Sequence, residues 1–356
     1  MHVGILSEQL TKRGHSVIAL CPPNSKIEQD LMRRKIAVYP FQPADYFSPR
    51  TLIKISSLLR SQKIELLHVH YSKDLWTTIP AARLVGRLPT VFIKHIGTQK
   101  PKRDILHKWI YKNVCHTIAI SKVIEQNLLN THPIDKDAVS VVHHGLDLDL
   151  YPGDQETRDR VRKELGVAAD EVLIGTIGRL QEGKGHLEFL EMAKNISRQF
   201  SKARFIIIGD PTRGEEKRAR RIYEKVDKVN LNEKLILSGF RDDVPDVLSA
   251  MDVFAFPSHA EAFGLVVIEA MAASLPVVSS RCDGILDIVQ DGQTGILVDP
   301  KNVGELTDAV RKLIMDAEMR TAFGKNGRQR VEQNFAMSGM VDQVEEIYKK
   351  CLPVAA

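Results

Sequence analysis

Short apolar runs rich in β-branched residues alternate along the whole chain with longer stretches whose apolar positions recur at helical spacing. The strand candidates in the first half are SVIALC, IAVYPF, LLHVH, TVFIKH, HTIAIS and VSVVHHG. Those in the second half are EVLIGTIG, RFIIIGD, KLILSG, VFAFPS, PVVSS and TGILVD. Strands alternating in this way with helices predict parallel α/β sheets. Between the halves, LDLDLYPGDQETRDR carries Pro152, Gly153 and a charge cluster that suit a linker. The division predicts one domain over 1–150 and a second over 151–336. A final helix over 337–356 has its own apolar stripe and is expected to pack back on the first domain. Open α/β sheets bind ligands at the carboxyl ends of their strands, so two such domains facing one another would make a functional cleft.

A chain of 356 residues exceeds what one core usually supports, and 43% hydrophobic residues suffice for two. Cys21, Cys115, Cys282 and Cys351 are too widely separated to suggest a metal-ligand pair, which fits a reducing compartment without disulfides. No signal peptide opens the chain and no apolar stretch is long enough to span a membrane, so the reading is cytoplasmic. Residues 1–150 carry a formal charge of +9 and the remainder −4, giving the overall +5. Basic residues gather at Lys94, Lys100, Lys102, Arg103, Lys108 and Lys112, interleaved with Ile105, Leu106, Trp109, Ile110 and Tyr111. Two readings stay open: a solvated helix face, or an amphipathic helix lying on the anionic inner face of a membrane. Nucleic acid is not expected as a partner, because no binding motif accompanies the basic region.

Candidate chemistry concentrates in the second half. Glu261 and Glu269 flank AFGLVVI, so a carboxylate lies inside a run that reads as buried helix and has no basic neighbour in sequence. Such a group needs a partner. Both carboxylates facing one cleft would suit a polyhydroxylated ligand; the alternative is a helix cap at Glu261 and a distant salt bridge at Glu269. The segment EVLIGTIGRLQEGKGHLEFLEMA reads strand, loop, helix, with Gly178, Gly183 and Gly185 in the loop beside Arg179 and Lys184. Glycines admit an anion to backbone N–H groups, and the following helix adds partial positive charge, so a phosphate site is the natural reading. The spacing approaches a Walker A loop, but Gly185 stands where Ser or Thr must hold magnesium. Two fixed cations, Arg179 and Lys184, would neutralise a diphosphate with no metal. Asp147 and Asp149 have the spacing of a metal-binding carboxylate pair but sit in ordinary turn chemistry, and no metal or other cofactor is expected. His95 ends TVFIKH at the ligand-facing edge, with His68 and His70 in a comparable place. Each is open to a substrate-binding or a merely structural role.

Taken in order, KRGHSV, LLHVH, KHIGT, AISK, HHGLD, GRLQEGKG, SGFRDDVP, PSHAEAFGLVVIEAMA and DGQTGILVDP resemble the retaining glycosyltransferases of family 4 over nearly the whole chain. The resemblance implies the GT-B fold, two facing Rossmann-like domains with parallel sheets. It implies that the second domain binds a nucleotide-sugar while the first supplies most of the site for a glycan or lipid-linked glycan acceptor. Lipopolysaccharide or other cell-surface polysaccharide synthesis would be the setting. By the same resemblance Arg179 and Lys184, with Gly178, hold the diphosphate, Glu269 the ribose and Glu261 the donor sugar. The backbone amides of Phe263, Gly264 and Leu265 meet sugar and phosphate. His95 touches the sugar near the reacting centre, and Gly239, Phe240 and Arg241 lie against the base. Transfer would be metal-independent, by front-face attack. The family opens with a central β-strand and a glycine-rich loop, whereas this chain begins in the helix that follows. The first sheet is therefore expected to lack its initial strand and to show unpaired edges. The rival readings are a GT-B nucleotide-sugar epimerase, a phosphorylase, and an inactive nucleotide-sugar-binding protein.

Overall fold

The computed structural model describes residues 2–41, 48–212 and 214–352. Its strands, all parallel to their neighbours, are β1 (Ile18–Cys21), β2 (Ala37–Pro40), β3 (Leu67–Val69), β4 (Thr90–Lys94), β5 (His116–Ala119) and β6 (Val139–Val141), then β7 (Val172–Ile177), β8 (Ala203–Ile208), β9 (Leu235–Gly239), β10 (Val253–Phe256), β11 (Val277–Ser280) and β12 (Gly295–Val298). Every strand read from the sequence is present. The chain divides into two compact units, Met1–Gly145 with Ser338–Ala356, and Leu146–Met337. Residues 353–356 of the expected final helix lie outside the described residues; its described part is Met337–Cys351.

The second unit is one six-stranded sheet of order β12-β11-β10-β7-β8-β9. Helices such as His186–Ser197 and Val303–Met315 pack with it, and for that reason its central strands β7, β8 and β10 carry near-continuous apolar runs rather than alternating ones. Phe189, Phe205, Ile207, Val253, Ala255 and Val310 belong to one large buried cluster of this unit. The helices begin where side chains can accept orphan N–H groups. Asp154 accepts from Thr157 N at 2.7 Å, and Asp316 from Met319 N at 2.8 Å.

The first unit is built differently. Its strands form two separate sheets, β1-β2 and β3-β4-β5-β6, and its core is divided into smaller clusters around Phe92, Leu31 and Leu59. Its opening helix, His2–Lys12, is followed by Arg13, which donates to Asp342 and Glu345 on the final helix at 2.5 and 2.6 Å.

One expectation is overturned here. Cys115, just before β5, and Cys351, at the end of the final helix, form a disulfide across 236 residues, with Cα atoms 5.9 Å apart. The pairing was hidden because only the return of the last helix to the first unit brings the two together. Disulfides are uncommon in reducing compartments, so cysteine usage no longer supports a cytoplasmic reading. No helix among the described residues is long and apolar enough to cross a membrane.

Candidate functional site

In an open α/β sheet the crevice opens where the strand order reverses, and in the second unit that point lies between β7 and β10. The glycine-rich loop 178–185 leaves β7 there, and the loop 257–264 leaves β10. The two are locked together. His259 N donates to Gly183 O at 2.9 Å, Ser258 Oγ donates to the same carbonyl at 3.3 Å, and Lys184 Nζ forms an ion pair with Glu261. Gly185 lies in the left-handed region at φ +77°, and a Cβ there would stand 2.1 Å from Pro257 O, so only glycine permits this approach. Ser258 Oγ also lies 3.2 Å from Glu261 Oε1, an alternative acceptor for its one hydrogen, and Glu261 N donates to Asp283 at 3.3 Å.

The neighbouring strand ends join the same framework. Gly178 N donates to Ile208 O at 2.9 Å and Gly209 N to Gly239 O at 2.8 Å. Asp210 ties two loops: its carbonyl accepts from Leu180 N at 3.1 Å and its carboxylate from Phe240 N at 3.0 Å. The loops after β7, β8, β9 and β10 thus form one rigid rim. Preorganisation of this kind lets fixed charges act on a ligand without first rearranging.

The two cations expected at the phosphates differ in state. Arg179 is exposed, and its guanidinium makes no ion pair among the described residues. Its carbonyl accepts from His186 Nε2 at 2.9 Å, which fixes the loop to the first residue of the next helix. Lys184, by contrast, is neutralised by Glu261, the side chains being 20% and 15% exposed. One unpaired cation and one salt-bridged cation therefore stand at the rim, where two unpaired ones were expected. A diphosphate held by Lys184 would have to compete with Glu261 for it. Glu261→Gln is accordingly expected to tighten binding of a free nucleoside diphosphate by about tenfold, one exposed-to-buried charge competition of roughly 1.4 kcal/mol. Titration calorimetry with the diphosphate checks this; unchanged or weaker binding would refute the competition.

The helix Leu265–Ala272 starts from Gly264 at φ +106° with no side-chain cap and no acidic residue in its first turn. Its first N–H groups are thus presented as an anion-binding terminus. Phe263 is buried beneath it. One turn in, on the same face as Leu265, is Glu269. It is largely buried, and burial alone pushes its carboxyl up from the ordinary 4.5 to about 7. No protein hydrogen bond or salt bridge satisfies it among the described residues, so the distant salt bridge considered from sequence does not form. Its negative field and burial also push the nearby Tyr151 phenol upward, burial being the larger cause.

Gly239 ends β9 at φ +68°, and Phe240 beyond it is 75% exposed, an apolar ring at the rim. Arg241 is committed elsewhere: its Nε donates to Asp243 at 2.7 Å and its guanidinium also pairs with Glu164. Its side chain is a structural clamp tying this loop to Glu164 and Asp243. Asp147 caps its own turn, accepting from Asp149 N at 3.2 Å, as turn chemistry requires. His95 belongs to the first unit, at the end of β4, among other histidines. Ser258, Asp210, Asp283 and His186, which hold the rim together, were missed; the small polar residues after successive strands were their only sequence signal.

Sequence profiles of two families divide the chain between them: "Glycosyltransferase Family 4" matches residues 1–150 and "Glycosyl transferases group 1" residues 157–330. An Escherichia coli protein, UDP-Gal:alpha-D-GlcNAc-diphosphoundecaprenol alpha-1,3-galactosyltransferase, is 28% identical over 84% of this chain and 79% of its own. A D-inositol 3-phosphate glycosyltransferase of Corynebacterium kroppenstedtii is 26% identical over 81% of this chain and 67% of its own. Among solved structures, a glycosyltransferase from Rickettsia africae superposes with a TM-score of 0.90 at 19% identity, covering 99% of this chain and 95% of that one. Anabaena HepE in complex with UDP and glucose superposes with a TM-score of 0.82 at 21% identity, covering 98% and 95%. These likenesses establish the GT-B fold.

Proposed function

Since the chain belongs to glycosyltransferase family 4 and is a glycosyltransferase acting on a nucleotide-sugar, we propose that it transfers the sugar with retention, needs no metal at the diphosphate, and uses a lipid-linked glycan acceptor of cell-surface polysaccharide synthesis. The observation that carries the donor assignment is Glu269, a largely buried carboxyl with no protein partner, placed one turn inside an uncapped helix terminus. A ribose diol supplies the missing donors, and the diphosphate then reaches the N–H groups of Gly264 and Leu265 and the Arg179 and Lys184 side chains. A uridine diphosphate donor and a diphospholipid acceptor are supported by the name of the Escherichia coli relative.

In this reading the bond from the sugar's anomeric carbon to the diphosphate oxygen breaks while the acceptor hydroxyl attacks the same face. The departing oxygen takes the hydroxyl proton, so no side chain need act as base. Arg179, Lys184 and the helix terminus stabilise the charge that accumulates on the leaving group. Glu261 positions the sugar.

Thermal unfolding with UDP, GDP, ADP, CMP and their sugar conjugates, with and without EDTA, tests the donor assignment. A ligand at a hundred times its dissociation constant should add about 2.7 kcal/mol to the unit that binds it. A shift with one nucleotide, indifferent to EDTA and abolished by Glu269→Ala, is the expected result. No shift from a cooperatively unfolding protein would refute the assignment. Donor consumption with no acceptor present would point instead to the epimerase reading.

Attachment to an anionic membrane surface belongs to the same proposal. On the helix Ile105–Lys112, Ile110 and Tyr111 are buried, whereas Ile105, Leu106 and Trp109 are 83%, 63% and 41% exposed beside Lys108 and Lys112. Replacing Ile105 and Leu106 by serine is expected to weaken sedimentation with phosphatidylserine vesicles by at least about tenfold, since each inserted side chain contributes roughly 1.5–3 kcal/mol. Equal sedimentation of variant and parent would leave this helix as an ordinary solvated face.

A further inference from the structure

The parallel strands of the first unit end on a common side, so residues just past successive strands converge. Here those residues are histidines. His70 follows β3, His95 follows β4 and His144 lies beyond β6, while His2 opens the helix His2–Lys12. Ring centroids of His2 lie 4.3 Å from His144, 5.3 Å from His95 and 5.8 Å from His70. One ring nitrogen from each of His2, His70 and His95 falls within 4.8 Å of the other two. His70 Nδ1 and His95 Nε2 are 3.4 Å apart. Two nitrogens bound tetrahedrally at Zn–N distances of about 2.0–2.1 Å are themselves separated by roughly 3.3–3.4 Å.

His2 adds the second, independent observation. Its Nδ1 is hydrogen-bonded to His144 Nδ1 at 3.0 Å, and its Nε2 is buried with no partner in the structure. A buried orphan nitrogen calls for an explanation. An imidazole oriented through one nitrogen with its lone pair free on the other is the usual arrangement of a metal-binding histidine. The group contains no carboxylate. Three nitrogen donors without oxygen suit zinc, nickel, cobalt or copper and disfavour magnesium and calcium.

We propose that His2, His70 and His95 form a binding site for one borderline-soft divalent transition-metal ion, with His144 orienting His2 and a fourth coordination position left for water or an exogenous ligand. All four histidines belong to the first unit.

The full chain, without a histidine tag and stripped with chelator, is titrated with Co²⁺ and then Zn²⁺. One equivalent of Co²⁺ should develop the intense visible absorption of tetrahedral cobalt, and Zn²⁺ should displace it while Mg²⁺ should not. His2→Gln, at the first residue of an outer helix, and His70→Asn should each weaken binding more than about tenfold. His144→Gln should weaken it by about 10–100-fold as an orienting partner. His107→Gln, on a surface helix elsewhere, should change nothing. Absence of the absorption, or its persistence in His2→Gln, would overturn the proposal. If His70→Asn does not fold, His2→Gln decides alone.

Discussion

Lys184→Ala is expected to lower kcat for sugar transfer roughly 10²- to 10³-fold, the usual cost of removing one preorganised group that stabilises leaving-group charge. Lys184 is fixed on both sides, by glycines at φ +87° and +77°, and its amine is held by Glu261. It therefore requires little ordering when the diphosphate arrives, and its contribution is realised as charge develops. Arg179 is exposed and must be ordered on binding, so Arg179→Ala should cost less, on the order of tenfold. The truncation also leaves Glu261 partly buried without its cation, which by itself destabilises the loop. The double variant Lys184→Ala with Glu261→Gln removes that orphan charge. If its thermal midpoint recovers while kcat stays depressed, the loss belongs to chemistry and not to folding. A Lys184→Ala enzyme within threefold of the parent would show that the leaving group is stabilised elsewhere.

The second large effect has opposite signs in stability and in binding. Glu269 titrates near 7 in the folded protein against an ordinary 4.5. Between those values the folded protein holds a proton that the unfolded chain has released. The stabilisation associated with this proton is complete below about pH 4.5 and is lost as pH rises through about 7. At pH 8 the ionised carboxylate thus costs the free enzyme on the order of 2–3 kcal/mol. Glu269→Gln should raise the midpoint of nucleotide-free protein by about 4–8 °C at pH 8 and leave it unchanged near pH 4.5. The same variant loses charge-assisted hydrogen bonds to a ribose diol, so nucleotide affinity should fall by about 10–100-fold. In the parent enzyme, affinity should rise between pH 6 and pH 8 as the acceptor ionises. A variant that is both less stable and unable to bind would assign Glu269 a structural role.

The strands were legible because a buried parallel strand needs an unbroken apolar run, and each such run here is closed by a turn residue. Strand order was not legible, since β-branched runs do not state their neighbours, and with it went the location of the switch point between β7 and β10. The glycine loop and the two glutamates were visible as chemistry. That Lys184 and Glu261 pair with each other was not, because the contact joins residues 77 positions apart through loops on different strands. Arg241 was placed at a base-binding loop, and its two carboxylate partners were overlooked, although Asp243 lies only two residues away. The histidines were weighed singly, and singly each reads as structural. Their common position after strands that must run parallel was the signal that they meet. The Cys115–Cys351 bond had no local trace at all.

The chain enters the second unit at Leu146 and leaves it at Met337, and these ends are stitched side by side: Leu146 N donates to Phe335 O at 2.8 Å and Met337 N to Leu146 O at 3.0 Å. The second unit is an insertion whose termini close on each other, and it is contiguous in sequence. On the ribosome it becomes complete as soon as Met337 emerges. The first unit begins synthesis earlier yet is not complete at that point, because Asp342 and Glu345, the partners of Arg13, and Cys351, the partner of Cys115, follow Met337 in sequence. Completion of the first unit therefore waits on residues translated after the whole of the second, a departure from simple amino-terminal-first assembly.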